Sequence, residues 1–164
     1  MRRFVGGKPV LGLVLALPLG DGSQGYGRVL PDGMEVFTRR DPLGTQPDLL
    51  TLVEGPRAFR HWVSYAAVRS RRWEALGVVP LTEQEESDRL SVWRVDAETG
   101  FAYRYSWDPV RATLGTERLT RKQCTRMELA SVMDDVHVEE RLRNFFEGRP
   151  YLDDLLALAR VKDP

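Results

Sequence analysis

The ten residues from Val10 to Leu19, VLGLVLALPL, carry no charged or hydrogen-bonding side chain. That run is about half of what a membrane-spanning helix requires, and Pro18 sits near its end. Met1-Arg2-Arg3 ahead of it gives a superficial likeness to a secretion signal, but no A-x-A-like cleavage site follows. The run is therefore expected to be retained as a strand buried on both faces. The single cysteine, Cys124, cannot form an internal disulfide and fits a reducing compartment, so a cytoplasmic, membrane-free protein is expected.

A chain of 164 residues, 42% hydrophobic and 29% charged, is expected to form one domain over 1–164 with an adequate core. The 24 basic residues balance the 24 acidic ones, so no global field draws the chain to nucleic acid or to an anionic membrane.

Gly20-Asp21-Gly22-Ser23-Gln24-Gly25 spells G-x-G-x-x-G after an apolar strand, and Asp41 lies where a ribose-binding acid would be wanted. A dinucleotide site needs the last glycine to open a helix. Tyr26 to Leu30 is strand-like instead, and Pro31-Asp32-Gly33 is a turn, so the segment reads as hairpins. A three-residue loop at 31–33 sets Leu30 opposite Met34 and Arg28 opposite Val36. Arg28 then falls on a mostly apolar face with Tyr26, Leu30, Met34 and Val36, where it needs a partner, and an internal ion pair or snorkelling to the rim is expected rather than a functional anchor.

Residues 39–56 read as a loop around the short apolar stretch Leu49 to Val53. From 57 to 73 come Arg57, Arg60, Arg69, Arg71 and Arg72 without an acid, interleaved with Phe59, Trp62, Tyr65 and Trp73. Guanidinium groups bind phosphates and aromatic faces stack on bases, so this stretch is the candidate surface for a nucleic-acid-binding β module. A strand over Arg57 to Val63 is the simpler account. Trp73 to Leu81 reads as another strand, closed by a loop with Glu83, Glu85, Glu86 and Asp88, the kind of acidic cluster that suits a basic partner surface.

Ser91 to Trp107 reads as a hairpin. A three-residue loop, Glu98-Thr99-Gly100 with Gly100 left-handed, gathers Trp93, Val95, Phe101, Tyr103, Tyr105 and Trp107 on one face, whereas an even-numbered loop pairs Trp93 with Arg104. The hydrophobic pattern selects the former. After a short strand around Arg111 to Leu114, Thr120-Arg121-Lys122-Gln123 is a capping box, and Cys124 to Met133, Val138 to Glu147 and Tyr151 to Val161 show helical spacing. The expected fold is α+β: a mostly antiparallel, barrel-like sheet over about 10–118, followed by C-terminal helices over about 120–161.

Catalytic signatures are scarce. The two histidines, His61 and His137, are far apart, and G-x-S-x-G, H-E-x-x-H, Walker and paired-cysteine motifs are absent. A Cys124–His137 pair can be drawn, but a cysteine at an apolar helix position is usually core. A hard-metal site from Asp134, Asp135, His137, Glu139 and Glu140 can be drawn too, but no known ligand geometry demands their spacing. The expectation is a protein without catalytic residues, metal or cofactor.

Gly12-Leu13-Val14-Leu15-Ala16-Leu17-Pro18-Leu19-Gly20-Asp21-Gly22, followed by Gly25-Tyr26-Gly27-Arg28-Val29-Leu30, resembles the opening of the immunity protein 26 family of bacterial polymorphic toxin systems. Trp73 with Leu76-Gly77 and Pro80-Leu81 resembles its middle strand. Thr120 through Cys124 to Glu128, then Val138 to Leu142, resemble its closing helices. One departure is Leu13, where the family often carries an acid. The resemblance implies a cytosolic protein that binds and neutralises a cognate toxin domain. Occlusion of the toxin's active or substrate site is the expected means. The acidic residues Glu83, Glu85, Glu86 and Asp88 are the expected partner surface, and the arginines at 57, 60, 69, 71 and 72 the alternative one.

Overall fold

In the computed structural model, which describes residues 3–106 and 113–162, the chain forms two compact units. One comprises Met1–Asp88 and Val132–Arg149, the other Arg89–Ser131 and Pro150–Pro164. The first unit opens with a small hairpin, β1 (Phe4–Val5) and β2 (Lys8–Pro9), and continues through β3 (Leu13–Pro18), β4 (Ser23–Leu30), β5 (Gly33–Phe37) and β6 (Asp41–Pro42). Then come helix α1 (Leu49–Glu54), β7 (Arg57–Val63), α2 (Tyr65–Arg69), β8 (Glu74–Val78) and α3 (Glu83–Ser87). The second unit holds β9 (Ser91–Val95), β10 (Ala102–Ser106), β11 (Thr113–Leu119), α4 (Arg121–Cys124) and β12 (Glu128–Leu129). The chain returns to the first unit with β13 (Val132–Met133) and α5 (Asp135–Phe146), and ends in the second with α6 (Leu152–Ala159).

The principal sheet has the order β13-β7-β5-β4-β3-β8, with β6 paired to β4. It is a line of strands rather than a ring, so the expected barrel-like closure is corrected to an open sheet. The apolar run forms β3, an inner strand, and it is buried because both sheet faces are covered. On one face Gly25 leaves room for Leu142 of α5, whose Cδ2 would collide with any added Cβ. On the other, α1 lays Leu52 over Val14, Ala16, Tyr26 and Phe37, with Leu49 and Val53 beside them. Asp48 starts α1 by accepting a hydrogen bond from the Thr51 amide at 2.8 Å, the usual role of an N-cap aspartate. The expected loop over 39–56 thus contains a capped helix.

The G-x-G-x-x-G segment is the β3–β4 hairpin, with Gly20 and Gly22 at φ +83° and +82°. The next hairpin corrects the expected register. Its loop has two residues, Pro31 and Asp32, so Leu30 pairs with Gly33, Val29 with Met34 and Arg28 with Glu35. A one-residue slip exchanges the faces of a whole strand. Met34 and Val36 therefore lie on the α5 side, and Arg28 looks across at a carboxylate rather than at Val36.

In the second unit the sheet order is β11-β10-β9-β12, with β12 parallel to β9. Trp93 pairs with Arg104 and Val95 with Ala102, the register the hydrophobic pattern had rejected. Gly100 is left-handed as expected, at φ +75°, but it ends a four-residue loop, Ala97 to Gly100, closed by the Asp96 amide donating to the Phe101 carbonyl at 2.9 Å. Trp93 packs with Ala102, Leu119, Cys124 and Val161, while Tyr103 and Tyr105 point to the opposite face. Trp107 of the expected aromatic row, and residues 111 and 112 of the expected strand, lie outside the described residues.

The capping box Thr120–Gln123 is present, but α4 spans only Arg121–Cys124. The chain then turns extended, and β12 and β13 pair in parallel with β9 and β7, so the helix expected from Cys124 to Met133 is corrected to one turn and two short strands. Helices are thus interleaved with strands rather than gathered after them.

Candidate functional site

Beside the apolar cluster under α1, the same face of the principal sheet carries a group of charges. Arg28 in β4 and Glu35 in β5 are cross-strand neighbours, with Nε and Oε1 2.6 Å apart and side chains 2% and 1% exposed. β7 runs alongside β5 and brings Arg57, whose Nε lies 2.5 Å from Glu35 Oε2, and Arg60. The tight turn between β4 and β5 presents Asp32, which accepts from Arg60 Nη2 at 2.8 Å.

Helix α3 covers this group. Thr82 and Glu85 form a capping box, a reciprocal pair of bonds that closes a helix start. The Glu85 amide donates to Thr82 Oγ1 at 3.2 Å, and Glu85 Oε2 accepts from the Thr82 amide at 2.9 Å. The other carboxylate oxygen of Glu85 accepts from Arg28 Nη2 and lies 4.0 Å from Arg57 Nη2. At the end of the helix, Asp88 Oδ2 accepts from Arg60 Nη1 at 2.5 Å. Burial alone would raise the Glu85 carboxyl, but the bonds from Thr82 and Arg28 outweigh it and hold it below the ordinary range. Burial alone would likewise lower Arg60, but Asp32 and Asp88 outweigh it, and the guanidinium is held above its ordinary range.

The two candidate surfaces read from the sequence therefore meet each other. Of the acidic residues, Glu85 and Asp88 face the sheet, while Glu83 and Glu86 are exposed on the helix. Of the arginines, Arg57 and Arg60 join the same cluster. Arg72 pairs with Glu139 at 2.5 Å, Arg69 stacks on Phe4 with its guanidinium carbon 4.6 Å from the ring centroid, and Arg71 is exposed. Phe59 and Trp73 are buried, and the Trp73 indole donates to Glu139 at 3.0 Å, so neither offers a ring face to a base. Glu35 and Asp32 were missed in the sequence. The signal that finds Glu35 is charge complementarity across the ladder, since only the two-residue turn sets it opposite Arg28, whereas Asp32 lies in that turn and meets Arg60 only through the neighbouring strand β7.

Cys124 is buried in the apolar cluster of the second unit, and His137 is exposed in the first turn of α5, its Nδ1 2.9 Å from Asp134. Asp134 caps that helix through the His137 amide at 3.0 Å, and Glu139 is taken by Arg72 and Trp73. Among the described residues, no cluster of His, Cys, Asp and Glu is arranged to hold a metal ion, and no helix is long and apolar enough to cross a membrane.

Residues 10–99, more than half of the chain, match the model of the family described as Immunity protein 26. The chain belongs to that family. No curated protein and no solved structure matches it. The immunity protein 26 match contains every member of the cluster, Arg28, Asp32, Glu35, Arg57, Arg60, Glu85 and Asp88. It ends before α4, so the closing segments that carried part of the sequence resemblance lie beyond it.

Proposed function

We propose that this chain binds a cognate bacterial toxin domain in the cytoplasm and neutralises it by covering its active or substrate site, without catalysis, metal or cofactor. The observation that carries this reading is the immunity protein 26 match over the segment that builds strands β3 to β8 and α3. The contact surface is the acidic helix: Glu83 and Glu86 face outward, while Glu85 and Asp88 fix the helix to the sheet. Against a toxin that acts on nucleic acid, whose groove must be basic, outward carboxylates stand in for phosphates and speed association. A rigid sheet beneath them limits the ordering cost of binding.

The nucleic-acid reading of 57–73 is the weaker one, because Arg57, Arg60 and Arg72 are engaged by carboxylates and Phe59 and Trp73 are buried. The deciding experiment is co-purification of this chain with the C-terminal domain of the protein encoded beside it, followed by titration of that domain's activity. Stoichiometric loss of activity on complex formation is expected; a domain that neither binds nor is inhibited would sink the proposal.

A further inference from the structure

Helix α3 is attached to the sheet in an unusual way. None of its five residues is buried. A helix this short has no stability of its own, since nucleation alone outweighs a single turn of hydrogen bonds. The capping box at Thr82 closes its start, and two carboxylates, Glu85 and Asp88, tie it to Arg28 and Arg60 of the sheet. They stand three positions apart, so one helix face presents both.

The arginines, by contrast, are positioned without α3. Arg28 and Arg57 share Glu35, whose two oxygens they approach separately, and Arg60 is held by Asp32. Arg60 Nε has no hydrogen-bond partner among the described residues. With α3 removed, three guanidinium groups would face two carboxylates, Glu35 and Asp32, which leaves a net positive site. With α3 in place the balance is reversed by Glu85 and Asp88.

We propose that Arg28, Arg57 and Arg60 form a carboxylate-binding site on the sheet face, that α3 is its resident occupant, and that an acidic peptide segment supplied from outside can take the place of α3. The ligand class is a turn of helix or a loop bearing two carboxylates three residues apart. The site discriminates by charge and spacing, because Arg28 and Arg60 each engage one carboxylate of the sheet and one of the α3 segment, and the sheet fixes the separation of the two guanidinium groups. This goes beyond the toxin-binding reading, and its test needs no toxin.

The probe is a fluorescent peptide with the sequence of residues 80–90, its ends blocked, and the readout is anisotropy with the full chain. In the Glu85→Gln, Asp88→Asn variant the resident carboxylates are neutral, and the peptide is expected to bind about tenfold or more tighter than to the wild-type chain. Binding should weaken as salt rises from about 0.1 M to about 1 M, where the screening length falls from about 10 Å to about 3 Å. A peptide carrying the same Gln and Asn replacements should not bind. Equal binding to both chains, no binding to the variant, or equal binding of the neutral peptide or of a short oligothymidylate would overturn the proposal. Should the variant not fold, the wild-type chain decides. Amide exchange at residues 83–87 is expected to accelerate with salt while that of β4 and β5 is unchanged, and exchange at α3 that ignores salt would overturn it.

Discussion

Arg28 and Glu35 face each other across β4 and β5, their charged atoms 2.6 Å apart and both side chains closed to water. Removing one member of such a pair leaves the other buried with its charge only partly compensated, at a cost of about 3 to 5 kcal/mol. Glu35 keeps Arg57, so the lower end applies. Arg28→Met is expected to lower the free energy of unfolding by about 3 kcal/mol, and adding Glu35→Leu should recover part of it, because an apolar pair of similar volume carries no desolvation penalty. Urea titration of the three chains measures this. A loss in Arg28→Met below about 1 kcal/mol, the worth of an exposed pair, would show that the pair does not anchor the sheet.

That pair also shows what was legible in the sequence. The need of Arg28 for a partner follows from strand alternation, but the partner depends on the register, and a one-residue difference in loop length separates Val36 from Glu35. In β9 and β10 the aromatic residues Tyr103 and Tyr105 misled in the same way, since grouping them with Trp93 gives the better apolar face and the wrong ladder. Thr82 and Glu85 spell a capping box, yet no apolar run follows it, and periodicity is silent where a helix buries nothing. The strands β3 and β7 and the helix α5 were legible because each carries a burial pattern of its own. The helix read from Cys124 to Met133 failed because two-residue strands are set by pairing with distant partners, which no local pattern records.

Gly12 and Gly20 separate two costs of adding a methyl group to glycine. Both are left-handed, at φ +76° and +83°, but a Cβ on Gly12 would collide with the Val79 carbonyl oxygen, while one on Gly20 meets nothing within 4 Å. Gly20→Ala should cost about 1 kcal/mol, the ordinary penalty of positive φ. Gly12→Ala should cost clearly more, because the Gly12–Val79 backbone contact, with Val79 N donating to Gly12 O at 2.9 Å, must move. Thermal melts of both variants test this, and equal losses would show that the close approach is not a constraint.

The outer and inner carboxylates of α3 should behave differently. Reversing Glu83 and Glu86 to Lys is expected to slow association with the cognate toxin domain strongly at low salt, with the defect shrinking as ionic strength rises and the melting temperature little changed. Reversing Glu85 and Asp88 places cations against Arg28 and Arg60, and should lower stability as well. Stopped-flow association and thermal melts distinguish the two. A Glu83→Lys, Glu86→Lys chain that binds the toxin at the wild-type rate would reject the outer side of α3 as the contact surface.

If neutralisation is binding alone, Cys124 and His137 are dispensable to it. Cys124 lies in an apolar cluster and His137 at an exposed position. Cys124→Ala removes a buried sulfur and should cost roughly 1 kcal/mol of stability, whereas His137→Ala should cost little. The double variant is expected to protect cells as well as the wild-type chain. Loss of protection with folding and toxin binding intact would establish a chemical role for one of them.

His61 gives the acid side of the stability profile. Its ring is fully buried in β7, and burial, aided by the nearby Arg141 cation, pushes its pKa down to about 3 from an ordinary 6.5. The unfolded chain takes up a proton as the pH falls through about 6.5, while the folded chain stays unprotonated until about 3. Between those values the unfolded state binds more protons, so stability declines with acidification by up to about 1.4 kcal/mol per pH unit. The carboxylate of Glu85, held below its ordinary range, adds a loss of the same sign at lower pH. His61→Gln removes the first contribution and leaves the second. Denaturant titrations at pH 7, 6, 5 and 4 should show the wild-type chain losing stability faster than this variant over that window. Parallel curves would mean that His61 becomes protonated in the folded protein at its ordinary pH.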